Sequence, residues 1–320
     1  MRRSFFWIGI VSTIAFAADS LPQQKTSPAA EFTPWFTGTL LAESGTTYPV
    51  GHFSINNYLS VITNTGAYNQ NWEAVSIPHD FTIINPLELF YAGLTPWCDF
   101  QMVTQLFYQT TAHKKSVQYG DLTCGLDFQL LDADATPYFP GIKFSLLESF
   151  PTGKYNRLNP DKEFTDGSGR GAFGTQVGLM LYKVYHLTGH IFLNHYFSAT
   201  YTLQSPISIH GVSVYGGDPS TRGRAFGGDI FQAIFSFELA LSQNWVFAMD
   251  NSYIHINSVS FSGTTESPVG KQSSEQICFA PAVEYNFNAN WGIIAGYFFS
   301  AWGRSSPQFR SGVVNLECAY

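Results

Sequence analysis

The sequence is short of charge. Only 12% of its 320 residues are Asp, Glu, Lys or Arg, and the balance among them is acidic, with a formal net charge of −7. Nucleic acid, which calls for a basic face, is excluded as a partner on that balance. Cysteine is scarce as well. Cys98, Cys124, Cys278 and Cys318 lie far apart with no Cys-x-x-Cys pair, so no compact disulfide framework is encoded. Four packing residues are the expectation, and a disulfide formed in an oxidising compartment is the alternative. Long apolar runs are missing beyond residue 18, because Asp, Glu, Asn, Gln, Gly or Ser interrupts each one. No stretch there reaches the ~20 residues that a membrane helix needs, which excludes a helical membrane protein.

What is abundant is aromatic surface: 17% of residues are Phe, Tyr or Trp, and Phe alone occurs 29 times. A chain so aromatic and so poor in charge is unlike a water-soluble secreted enzyme, so part of its surface must face something other than water. The start of the chain points the same way. Met1-Arg2-Arg3-Ser4 precedes a near-continuous apolar run from Phe5 to Ala18, with Ala15-Phe16-Ala17 as a small-x-small cleavage site. Residues 1–18 therefore read as a secretory signal peptide. Its removal takes Arg2 and Arg3 away and moves the net charge from −7 to −9. Residues 19–50, rich in Pro, Thr, Ser and Ala, read as a periplasmic lead-in, and 51–320 as a single β domain.

That domain alternates. In Asp121 to Leu130, Leu122, Cys124, Leu126, Phe128 and Leu130 fall on one side and Asp121, Thr123, Asp127 and Gln129 on the other, a separation that only a period of two achieves. The same sorting sets Phe100, Met102, Leu106 and Tyr108 against Asp99, Gln101 and Gln105. It also sets Ile277, Phe279, Val283, Tyr285 and Phe287 against Gln276, Glu284 and Asn286, and Phe235, Phe237, Leu239 and Leu241 against Ser236 and Glu238. Strands are predicted near 52–63, 80–93, 97–110, 120–131, 140–150, 171–184, 189–203, 228–241, 245–258, 273–287, 291–302 and 310–320. Short connections (95–96, 132–139, 185–188, 242–244 and 288–290) interleave with longer ones (64–79, 111–119, 151–170, 204–227, 259–272 and 303–309).

Short turns on one rim and long loops on the other are how outer-membrane barrels are built, and an even strand number returns both ends to the periplasmic rim. The fold class is therefore all-β: a single transmembrane antiparallel barrel of about 12 strands, since lipid offers an open sheet edge no hydrogen-bond partner. Val314, Leu316, Cys318 and Tyr320 share one face of the final strand, and the chain stops on the aromatic. This is similar to the C-terminal signature by which the barrel-assembly machinery recognises its clients. Pro86 and Pro281 fall inside predicted strands, where bulges are expected because proline cannot donate to the ladder. Glu148 and His195 fall on lipid-side positions, which would fit a register slipped by one.

The polar sides are the candidate site. Asp99, Gln101, Gln105, Asp121, Asp127, Gln129, Gln232, Glu238, Asp250, Glu284, Asn315 and Glu317 would otherwise face hydrocarbon, so they are expected inside, either lining a lumen or filling it with a hydrogen-bonded plug. Their excess of acid over base suggests a mild preference for cations.

Several segments are more specific than a barrel requires: Phe36-Thr-Gly-Thr-Leu-Leu-Ala-Glu-Ser-Gly45 before Pro49-Val-Gly-His52, Pro151-Thr-Gly-Lys-Tyr155 with Leu158-Asn-Pro160, Gly211-Val-Ser-Val-Tyr-Gly-Gly217, Ser242-Gln-Asn-Trp245, and Glu284-Tyr-Asn-Phe287 before Trp291-Gly-Ile-Ile-Ala-Gly296. Over most of the mature chain they resemble the family of outer-membrane transporter-like barrels named for the MetA pathway of phenol degradation. The resemblance implies a monomeric or loosely associated barrel passing small hydrophobic or aromatic compounds. It carries no motif that defines a binding site.

Other chemistries fare poorly. His186 and His190 have the i, i+4 spacing of a zinc pair, but that spacing works on a helix and Leu187-Thr-Gly189 reads as a turn, so no metal is expected. Asp166 to Gly171 and Tyr215 to Gly228 are glycine-rich without the Gly-Lys-Ser/Thr ending of a phosphate loop, and read as outer loops. Arg170, Arg222 and Arg224 in them are candidates for contact with lipopolysaccharide phosphates. For hydrolysis, His255-Ile-Asn-Ser258 is the nearest nucleophile–base arrangement, and it lacks the Gly-x-x-x-His-x-Ser-Asn surround of outer-membrane phospholipases. No catalytic residue and no cofactor are expected. The partners expected are outer-membrane lipid and lipopolysaccharide, the assembly machinery and a small solute, and the function is passive passage of that solute. A structural or adhesive barrel with a closed lumen is the alternative.

Overall fold

The computed structural model describes residues 34–42, 45–133 and 138–320, so the segment read as a signal peptide lies outside the described residues. The strands are β1 (Phe53–Tyr68), β2 (Ala74–Thr95), β3 (Cys98–Thr111), β4 (Lys114–Tyr119), β5 (Leu122–Leu131), β6 (Gly141–Phe150), β7 (Gly174–Thr188), β8 (Ile191–Gln204), β9 (Ile207–His210), β10 (Arg222–Gly227), β11 (Ile230–Ala240), β12 (Trp245–Ile256), β13 (Val259–Thr264), β14 (Ser274–Asn288), β15 (Trp291–Arg304) and β16 (Ser306–Ala319). Setting aside β4 and the three short strands β9, β10 and β13, the other twelve form one closed antiparallel ring. Closure is made by β1 and β16, paired from Ser54↔Ala319 to Tyr68↔Ser306.

The period of two explains why the wall has two characters. In β1, Ser54, Asn56, Tyr58 and Ser60 are buried inside, while Leu59 and Val61 on the outer face are 49% and 43% exposed. In β2 the inner face is itself largely apolar, with Phe81, Ile83, Leu87, Leu89 and Tyr91 buried around Asn85. Aromatic rings gather outside at the short-turn rim: Phe53 stacks on Tyr320 at 5.3 Å, Trp291 meets Tyr320 at 6.2 Å, Trp245 meets Tyr285 at 4.8 Å and Trp97 meets Phe128 at 6.1 Å. Phe231 with Tyr253 and Phe279 with Trp302 lie toward the opposite rim. Aromatic girdles at both ends of an apolar band mark a wall that crosses a bilayer.

Several expectations need correction. The connections at 111–119 and 303–309 are not long loops. They are tight turns at Ala112-His113 and Ser305, where Ala112 and Ser305 take φ of 46° and 50°, and strand resumes at once. The outer half of β3 pairs with β4 and its inner half with β5. The 64–79 connection shrinks because β1 runs to Tyr68 and β2 begins at Ala74. These strand ends stand above the lipid, where neither face is apolar and alternation gives no signal. Nor do Pro86 and Pro281 sit in bulges. Register is unbroken across both, with Ile84↔Tyr108 and Leu87↔Gln105 on either side of Pro86 and Phe279↔Phe299 and Ala282↔Gly296 around Pro281. Asn85 Nδ2 donates to the carbonyl of Leu106 at 2.9 Å, opposite Pro86, and so supplies the hydrogen that proline lacks. Glu148 and His195 do face outward, and no slip occurs: Glu148 accepts from Thr175 Oγ1 at 2.7 Å, and His195 lies between Tyr185 and Phe235.

Loops 204–227 and 259–272 hold more structure than expected. Strands β9, β10 and β13 form a second sheet, and Leu158 N and Arg157 N donate to the carbonyls of Val212 and His210. Around it Leu158, Ile207, Ile209, Val214, Tyr215 and Ala225 make a separate apolar core, a cap on the long-loop side. All four cysteines are free, three of them buried.

Candidate functional site: a plugged lumen

The described part of the expected periplasmic lead-in lies inside the wall. Phe36, Thr37, Thr39, Leu40, Leu41 and Tyr48 are at most 4% exposed. The segment enters beside the β14–β15 turn, where Asn286 Nδ2 donates to the carbonyl of Trp35 at 3.1 Å, and it leaves at the same rim, where Val50 bridges to Gly93 near the end of β2. It has no secondary structure of its own, so its backbone amides must find partners elsewhere.

They find acidic side chains of the wall. Thr37 N donates to Glu284 Oε1 at 2.7 Å, Leu40 N to Asp250 Oδ2 at 3.0 Å, and Thr39 Oγ1 to Asp250 Oδ1. On the return, Thr47 N donates to Gln129 Oε1 at 3.0 Å, Tyr48 N to Asp99 Oδ2 at 2.8 Å, and Tyr48 Oη to Glu317 Oε1 at 3.3 Å. The Tyr48 ring stacks on Tyr91 at 5.4 Å. The wall is also shaped for the segment: a Cβ on Gly292 would stand 1.9 Å from Thr37 Cγ2, and one on Gly296 2.5 Å from Leu40 Cδ1. The described residues between 34 and 48 are thus a plug seated in a socket. A cavity of about 20 Å³ remains where the plug enters, bounded by Trp35, Thr37, Asn286, Trp291, Gly292 and Glu317. That is room for about one water and far below the volume of a solute site.

Around the plug lie Asp99, Asp127, Glu238, Asp250, Glu284 and Glu317, each at most 1% exposed, with Lys143 as their buried cation among the described residues. Lys143 Nζ stands 3.7 Å from Asp127 and 5.9 Å from the centre of the Tyr91 ring. Glu238 accepts from Tyr196 Oη at 2.6 Å and Asn194 Nδ2 at 3.2 Å, and Asn315 Nδ2 donates to Asn56 at 3.1 Å. Gln101 is fully buried in the same wall, and Gln105 is half-buried. Two of the predicted residues serve elsewhere. Asp121 anchors the 151–173 loop by accepting from Gly153 N and Arg170 N, both at 2.8 Å, and Gln232 is half-buried near the start of β11, toward the long-loop rim. Lys143, Tyr58, Tyr91, Tyr182, Asn194 and Tyr196 also point inward and are absent from the residues chosen on sequence. The alternation in Lys143-Phe144-Ser145-Leu146 and in Asn194-His195-Tyr196-Phe197 was the available signal.

The cap is tied by Tyr215, whose hydroxyl donates to the carbonyl of Arg170 at 2.7 Å and is pushed up to about 12 by burial. The Lys271 ammonium lies 5.4 Å from the Tyr215 ring, and burial together with the Arg170 charge lowers it to about 7. Arg222 and Arg224 are exposed on β10. His186 Nε2 pairs with the carbonyl of Gly189 at 2.8 Å on the β7–β8 turn, and no three His, Cys, Asp or Glu side chains among the described residues could hold a metal. His255 contacts Asn257 Oδ1 at 3.0 Å and Glu275 at 3.3 Å, partners that do not include Ser258.

A closed antiparallel ring with an apolar exterior, aromatic girdles and a polar, plugged interior is an outer-membrane β-barrel. No protein-family model matches the sequence, and no curated protein matches it. Among solved structures, an outer membrane channel from Pseudomonas putida F1 superposes with a TM-score of 0.67 at 14% identity, covering 87% of this chain and 98% of that one. The β domain of the Bordetella autotransporter BrkA and the transport unit of the Escherichia coli autotransporter AIDA-I each give a TM-score of 0.44 at 11% identity over 84% of this chain, covering 99% and 90% of their own. With the Pseudomonas putida channel, what is shared is the fold.

Proposed function

We propose that this chain is a passive channel for small solutes in the bacterial outer membrane, kept shut by this plug and opened when the segment withdraws toward the rim from which it enters. The observation that carries the reading is the plug's attachment. Its backbone amides rest on carboxyl oxygens of Glu284, Asp250 and Asp99, contacts that water replaces once the segment leaves. A barrel needed only as a wall is filled more stably by apolar side chains than by buried carboxyls. The fold shared with the Pseudomonas putida channel supports the reading, and the resemblance to the phenol-degradation barrels adds aromatic compounds as a solute class. Insertion through the barrel-assembly machinery is proposed on β16 and the residue that follows it, with Val314 and Tyr320 41% and 51% exposed.

The test is single-channel recording in planar bilayers of the full chain and of Gly292→Leu, whose Cβ alone would stand 1.9 Å from Thr37 Cγ2 and so denies the plug its seat. The full chain is expected to be mostly silent and the variant to show stable steps. A folded, heat-modifiable variant that stays silent would favour the closed structural barrel.

A further inference from the structure

Resting on that channel reading, we infer that the solutes the opened lumen takes are small organic ammonium compounds, protonated arylalkyl amines among them, and that the plug occupies their place by offering the same donors. Six of the seven polar contacts quoted above between plug and wall run in one direction: the plug donates from Thr37 N, Thr39 Oγ1, Leu40 N, Thr47 N, Tyr48 N and Tyr48 Oη, and the wall accepts, the exception being Asn286 Nδ2 at the rim, which donates to the Trp35 carbonyl. The wall keeps further acceptors in reserve: Asn194 Oδ1 and Asn315 Oδ1 are buried without a hydrogen-bond partner among the described residues, while at Gln101 both the amide oxygen and the amide nitrogen are unmatched.

Once the segment withdraws, Asp99, Asp250, Glu284 and Glu317 lose its donors. A neutral hydrocarbon entering the lumen would displace their water and return nothing, at several kcal/mol for each ion. An ammonium group returns N–H donors and opposite charge. The apolar half of such a solute also has a counterpart, because Tyr58, Tyr91, Tyr182 and Tyr196 are buried on the inner face. A primary ammonium already stands over one of these rings, Lys143 Nζ at 5.9 Å from the centre of Tyr91, beside Asp127. Carboxyls for the N–H groups and ring faces for the cation and the carbon skeleton are the two components of an amine site.

The experiment uses the full chain carrying Thr37→Pro and Leu40→Pro, which removes two plug amides that rest on Glu284 and Asp250, in planar bilayers under a tenfold KCl gradient. The reversal potential is expected to lie toward the potassium equilibrium value, with potassium favoured over chloride by roughly tenfold or more. Benzylammonium is expected to block the current at concentrations about tenfold or more below those of benzyl alcohol, a neutral molecule of nearly the same shape, in line with a charge-assisted contact. Steps without cation preference, or equal block by the two probes, overturn this inference and leave the channel standing. A folded barrel that is silent both in this variant and in Gly292→Leu overturns the channel reading and this inference with it.

Discussion

Asp250 carries the heaviest share of the plug's attachment, so its removal is the sharpest perturbation. Its carboxyl accepts from Leu40 N at 3.0 Å, from Thr39 Oγ1 and from Ser236 Oγ. Asp250→Ala leaves two plug donors in a fully buried site without an acceptor, each costing about 1–3 kcal/mol. The seated state should weaken by about 2–6 kcal/mol, which multiplies the population of the withdrawn state by about 30-fold to 10⁴-fold at 1.4 kcal/mol per decade. The assay is maleimide labelling of Leu41→Cys, a position that is 0% exposed when seated, in barrels reconstituted into vesicles and read by peptide mass spectrometry at position 41, apart from the four native thiols. The labelling rate follows the withdrawn population, so adding Asp250→Ala should raise it by at least about 30-fold. Asp250→Asn, which keeps one carbonyl acceptor, should fall between. A rate that Asp250→Ala leaves within about threefold of the parent, in a folded barrel, would refute the claim that these hydrogen bonds hold the plug.

Gly292→Val should act sterically where Asp250→Ala acts through hydrogen bonding: its Cβ would meet Thr37 Cγ2 at 1.9 Å, so proteolysis from the short-turn side should cut within 34–49 where the parent resists. Asn85→Ala should lower barrel stability by about 1–3 kcal/mol in urea unfolding, since it strips the carbonyl of Leu106 of its donor at a place where Pro86 offers none. In the cap, Lys271 titrates near 7 when folded, below its ordinary lysine value. Between the folded and unfolded values the unfolded cap binds more protons, so cap stability rises with pH over that window and is lowest below about pH 7. Hydrogen exchange of 211–216 and 259–271 should therefore slow as pH is raised from 6 to 9, after correction for the intrinsic rate, and Lys271→Met should flatten the trend.

The wall was legible because lipid imposes a period of two on every strand that crosses it. Leu122 to Leu130 and Phe235 to Leu241 show that alternation without interruption, and the acidic residues between them lie inside or at the mouth. The strands were read short where they leave the lipid: Asn69-Gln70-Asn71 and Lys114-Lys115 are polar on both faces, and nothing in such a stretch separates a protruding hairpin from a loop. The plug was illegible for a related reason. Residues 36–48 have no period at all, and their amides are matched to Glu284, Asp250 and Asp99 across more than 200 positions in the first two cases, a complementarity visible only after the ring has closed. The opposed prolines misled because a side chain, Asn85, restores the lost hydrogen bond at Pro86 and register can continue.

The most direct test of a movable plug is a reversible tether. Thr37→Cys and Gly292→Cys bring two Cβ atoms to about 3.3 Å between plug and wall, near the separation a disulfide spans, and Asp250→Ala in the same chain frees the segment whenever the tether is open. Single-channel recording should show no steps under oxidising conditions and stable steps after a reductant is added to the same bilayer. Current that persists when the tether is formed, or that never appears when it is broken in a folded barrel, would contradict a lumen closed by the plug.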